Sequence, residues 1–247
     1  MNSGPTRALT ALAPTLACFL LLWTLMDRSA AALSSMRGEF GLLVCVIVMV
    51  AALTCESALS HTNIREAARA LGLRSPTLSA LLSAIALAGT LLLIFPLYST
   101  ITGASLTLRL DWAVLAVGIF AQGGVGEEIV FRGFLFRRLR QGRSFGQAAT
   151  VSAGPFVLVH ALLFLTLDFQ IALAALLVSL SLAFPMAWLF ERSAGSVLPP
   201  AIVHGVVQGA IKVVEDGPAF PMLALAWMGA CATAPWLLFA LRPARES

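Results

Sequence analysis

The chain is poor in charge. Of 247 residues, 11% are Asp, Glu, Lys or Arg, where a soluble domain carries about 25%. So few charges cannot clothe a soluble globule of this length. They also exclude a disordered polyelectrolyte and a basic nucleic-acid binder. Lysine is nearly missing: fifteen of the sixteen basic residues are Arg, and the exception is Lys212. That bias fits a GC-rich, bacterial coding sequence. Cysteine is scarce too. Cys18, Cys45, Cys55 and Cys231 lie inside apolar runs, without metal-ligand spacing or the paired arrangement of a secreted disulfide scaffold. What the chain has instead is apolar bulk, 59% of residues. The class is an integral membrane protein.

A membrane-crossing helix needs about 20 mostly apolar residues. Eight segments qualify, at 8–26, 40–59, 77–101, 112–131, 147–167, 171–190, 197–214 and 220–241. Backbone polar groups must be satisfied within lipid, so these segments read as helices. No ten-residue alternation supports a barrel. The expectation is an all-α, polytopic membrane helix bundle, a single integral domain over 1–247. The first segment follows Arg7 and is longer than a signal-peptide core, so it reads as a retained span.

Arginines orient the bundle. With the N-terminus in the cytoplasm, twelve basic residues fall on the cytoplasmic side and four (Arg28, Arg37, Arg109, Lys212) on the other. That favours both termini inside. The stretch Arg132–Arg140 reads either as an interfacial helix facing anionic headgroups or as an ordinary positive-inside loop.

Against this background, ionisable groups inside spans stand out, because burying them in lipid is costly. Glu56 reads as a snorkelling residue or a partner for an arginine of the next loop. Glu127 and Glu128 are different. Glu128 and Arg132 are i, i+4 neighbours, acid before base, while Glu127 is rotated by about 100°. One carboxylate can be neutralised locally and its neighbour left for other work, such as general-base chemistry. The alternative is a structural ion pair with a solvated second Glu. Phe156 and His160 share one helix face, and so do His204 and Gln208. If the fifth helix restarts at Gly154-Pro155, His160 lies one to two turns inside, and all three polar positions fall in the cytoplasmic half. A carboxylate base, imidazoles and an amide can activate water and stabilise an oxyanion, as amide hydrolysis requires. No His-Glu-x-x-His zinc helix and no Gly-x-Ser-x-Gly elbow is present. Gly123, Gly124 and Gly126 read as helix-packing residues.

Glu127-Glu128-x-x-x-Arg132, Phe156-x-x-x-His160 and His204-x-x-x-Gln208 together resemble the three motifs of the CPBP intramembrane proteases. That family includes the Rce1-type CAAX prenyl endopeptidases and bacterial relatives. The resemblance covers 112–214, taken as the catalytic core. It implies an endopeptidase in which Glu127, assisted by His160, activates water, His204 and Gln208 form the oxyanion side, and Arg132 supports the site. It also implies a peptide or protein substrate, such as one with a C-terminal membrane tag, met near the cytoplasmic surface. The partners are then that substrate and the lipid bilayer of a bacterial inner membrane, not nucleic acid. The last motif position is usually Asn or Asp, and Gln208 departs from it. Glu127, His160 and His204 could also make a three-ligand zinc site with an open position. A metal-free glutamic mechanism is the reading preferred. The alternative is a non-catalytic membrane factor on the same fold, in bacteriocin immunity or assembly. A proton-relay transporter would call for repeated halves, which the chain does not show.

Overall fold

The computed structural model describes residues 5–33, 40–166, 168–215, 217–218 and 220–240, with side chains from residue 13 onward. The described residues are helical, and their one β-type pairing is an isolated antiparallel bridge between Leu108 and Val214. In chain order the helices are α1 (Pro5–Ala32), α2 (Gly41–Ser60), a short α3 (Ile64–Ala70), α4 (Leu78–Thr102), α5 (Trp112–Arg140), α6 (Phe145–Leu165), α7 (Phe169–Arg192), α8 (Leu198–Gly209) and α9 (Phe220–Ala240). Seven of these are long and apolar enough to cross a membrane: all but α3 and α8. In α1 the qualifying stretch is Ala13–Ala32, shifted toward the C-terminus from the segment expected at 8–26.

The seventh expected segment behaves differently. α8 continues into a tighter turn at Ala210–Val213. From Leu198 to Val213 is 16 residues, about 24 Å of helix against a hydrocarbon core of about 30 Å. Pro199 and Pro200 sit at its first positions, where the missing N–H groups would have no helical partner anyway. α8 is therefore an internal element wrapped by the bundle, with Ala201, Val203, His204, Gly205 and Val207 buried.

One end of the bundle is fastened by polar contacts. The Val197 N–H donates to the Gly72 carbonyl, Thr77 Oγ1 to the Arg192 carbonyl, and Ser196 Oγ to the Arg74 carbonyl. α3 starts with a capping box between Asn63 and Glu66, and α6 with one between Ser144 and Gln147. The opposite end carries the Leu108–Val214 bridge. Arg37, Arg242 and Arg245, which enter the orientation count, lie outside the described residues, and the side chain of Arg7 does too.

The stretch from Arg132 to Arg140 is neither a surface helix nor a loop. It continues α5 into the protein, and Phe134, Leu135, Phe136 and Leu139 are core residues. Arginines on it meet acids from other helices: Arg137 and Arg138 pair with buried Glu56 at 2.7 and 2.9 Å, and Arg140 pairs with Glu191. Glu56 is thus neutralised from α5, not from the loop that follows α2.

Candidate active site

Helix α5 brings the two glutamates to the centre of the bundle. The chain around them is wound wider than an α-helix, over Phe120–Gly126 and again over Ile129–Phe136. Such i→i+5 turns are rare and recur at functional sites. Glycines allow α8 to lie against this segment. A methyl group on Gly124 would come within 2.9 Å of the Ala201 carbonyl oxygen and 3.4 Å of the Gly205 Cα.

The two carboxylates have separate partners. Glu128 is fully buried, and its Oε1 accepts from Arg132 Nη1 at 2.9 Å and from His204 Nδ1 at 2.7 Å. Arg132 is buried too, and its guanidinium carbon sits 4.4 Å from the centre of the Phe156 ring. A cation over an aromatic face adds about 0.5–2 kcal/mol. Glu127 points elsewhere. Its Oε1 accepts from Gln208 Nε2 at 3.0 Å, and its side chain keeps 17% exposure. The 100° offset thus gives the two carboxylates separate partners.

These bonds set the tautomer of His204. Nδ1 must carry the proton it gives to Glu128. Nε2 is then a lone pair, and it accepts from Gln208 Nε2 at 2.9 Å. Gln208 spends both amide hydrogens, one on Glu127 and one on His204. Arg132, Glu128, His204, Gln208 and Glu127 form one continuous polar chain across α5 and α8.

His160 completes the group from α6. Its Nδ1 donates to the Phe156 carbonyl at 2.7 Å, leaving Nε2 as an acceptor. Glu127 and His204 are near enough to act on it electrostatically. Phe156 is the hub between these groups, with ring centres 4.8 Å from His160, 6.0 Å from His204 and 4.9 Å from Phe131. The sequence marked Phe156 as a face-mate of His160 and as a position of its motif. Its packing role comes from three helices and leaves no local signal.

The depth of the site differs from the expectation. Pro155 lies inside an unbroken helix. His160 stands 15 residues beyond Phe145, so it is about 22 Å along α6 instead of one to two turns. A proline removes one N–H but need not end a helix whose neighbours hold it. Glu127 is similarly central, 15 residues from Trp112 and 13 from Arg140.

Glu127, His160 and His204, the residues that could hold zinc, are engaged with other partners in this arrangement. Among the described residues no group of three His, Cys, Asp or Glu side chains is placed to hold a metal. His204 has Nδ1 committed to Glu128, and the lone pair of its Nε2 accepts from Gln208.

The geometry coincides with a family match. Residues 109–210 fit the family described as type II CAAX prenyl endopeptidase Rce1-like. The chain carries an Rce1-like domain. No curated protein matches the chain. The Rce1-like segment runs from the start of α5 to the end of α8 and includes every residue of the polar chain. The family implies a protease acting on a peptide or protein, here in a chain built to lie in a membrane.

Proposed function

We propose that the chain is a glutamic-type intramembrane endopeptidase, with Glu127 as the base. The observation that carries this reading is the division of labour between adjacent carboxylates. Arg132 neutralises buried Glu128, while Glu127 keeps partial exposure and its Oε2 stands 3.7 Å from His204 Nε2. Glu127 and His160 Nε2 are both acceptors. A water between them donates one hydrogen to each, and its oxygen lone pair is left for the scissile carbonyl. Glu127 takes the proton as the C–O bond forms and returns it to the amine as the C–N bond breaks. The carbonyl oxygen gains negative charge, and Gln208 stabilises it by turning one N–H from His204 to that oxygen. Glu128 and Arg132 hold His204 in the required tautomer. The arginine-rich end and both termini lie in the cytoplasm on this reading, as positive charge favours. The substrate is a membrane-associated peptide segment, of which a protein with a C-terminal membrane tag is one kind.

Comparing the termini of membrane proteins in cells with the wild-type chain and with Glu127→Ala tests this directly. New N-termini present only with the wild type are expected, and identical maps would sink the reading. No step here passes through a metal. Cleavage by purified enzyme should therefore survive exhaustive dialysis against a chelator. Loss of activity that zinc restores would overturn the metal-free mechanism.

One observation favours a second reading, a non-catalytic factor in immunity or assembly. At rest both Gln208 N–H groups are engaged, so no amide donor waits for an oxyanion. Such a factor would keep its cellular phenotype in the isosteric Glu127→Gln variant.

A further inference from the structure

Gly123 lies four residues before Glu127 in the wide turns of α5. A Cβ at this position would stand 2.0 Å from Gln208 Oε1 and 2.8 Å from Gln208 Cδ. No side chain larger than hydrogen fits without moving the amide. That amide is also oriented by its other contacts. Glu127 Oε1 and His204 Nε2 are both acceptors, so the amide nitrogen must face them and the oxygen must face away. The space away from them is the bare α-carbon of Gly123.

We propose that Gly123 is a positioning residue for Gln208: its missing side chain is the seat of the amide oxygen, and that seat aims both N–H groups at Glu127 and His204. The inference rests on the protease reading for its kinetic form. It also accounts for the glutamine at this motif position. The extra methylene relative to Asn needs room, and Gly123 supplies it. Gly124 is the contrasting case, because its would-be methyl meets the backbone of α8 and not Gln208.

A double-mutant cycle tests the pairing. G123A should lower kcat by about 10²-fold, the scale of an ångström misplacement of a working group, with KM little changed. Asn is one methylene shorter and withdraws its oxygen from the new methyl. G123A/Q208N should therefore be close to Q208N alone in kcat. Gly124→Ala should gain nothing from Q208N. Independent, multiplicative losses for G123A and Q208N would overturn the proposal, as would an unimpaired G123A. If the wild-type chain cleaves no peptide, the protease reading has failed, and thermal unfolding in detergent still reads the pairing. G123A should then lower the midpoint and Q208N should restore it. No restoration overturns the proposal. If G123A yields no folded protein, recovery of folded protein in G123A/Q208N reads the same coupling.

Discussion

Glu127→Gln should lower kcat by about 10²–10⁴-fold, the range that general-base catalysis supplies, while the folded protein remains as stable as wild type. The substitution is nearly isosteric. Its carbonyl oxygen still accepts the Gln208 N–H that Glu127 Oε1 accepts now at 3.0 Å. The polar chain through Gln208, His204 and Glu128 is therefore kept, and only proton affinity is lost. KM should change little, because the ground-state contacts persist. Steady-state kinetics in detergent or liposomes, beside an unfolding curve, separates the two effects. Cleavage within threefold of wild type would exclude Glu127 as the base. A matching collapse of stability would make the residue structural.

Arg132→Met should produce the largest loss of stability. Removing one partner of a buried ion pair leaves the other uncompensated, at about 3–5 kcal/mol. Here the pair is 2.9 Å apart, with side chains 4% and 0% exposed. Glu128 would be left with the His204 N–H as its one hydrogen-bond donor, and its Oε2 already has none. Methionine would keep apolar contact with the Phe156 ring but lose the cation over it. The double variant Glu128→Gln with Arg132→Met removes both charges and should recover much of the loss. Chemical unfolding in detergent measures each. A loss under about 1 kcal/mol for Arg132→Met, the size of an average substitution, would mean that the pair is not what holds Glu128 in place.

The bundle was legible in the sequence because lipid allows few backbone solutions. Apolar length alone located the spans near their final places. The Glu128–Arg132 pair was legible too, since both residues lie on one turn of one helix. What escaped was set by distant neighbours. Glu56 meets Arg137 and Arg138 some eighty positions away, and no local pattern names them. The segment after Arg132 looks like a membrane-surface helix because its arginines are read as solvated. They are paired across helices instead, and its phenylalanines are buried. Pro155 promised a helix break that the surrounding bundle did not need. Gly123 passed for one of three packing glycines because its purpose depends on a side chain from α8. The 197–214 segment met the hydropathy standard of a span yet is too short for one. Hydropathy reports burial and does not distinguish lipid from protein.

The shortness of α8 bears on how the protein is made. A segment of about 24 Å flanked by polar turns is a poor candidate for independent insertion into a 30 Å core. In membranes, helices that span by themselves settle first and then associate. α8 depends on its neighbours for burial, and Ser196 and Val197 just before it are tied to the turn before α4. The expected order is therefore that α8 joins after α4, α5 and α7, the helices it packs against. His204 and Gln208 arrive with it. Until that docking the glutamates of α5 have no α8 partner, so the polar chain is complete only once α8 is seated.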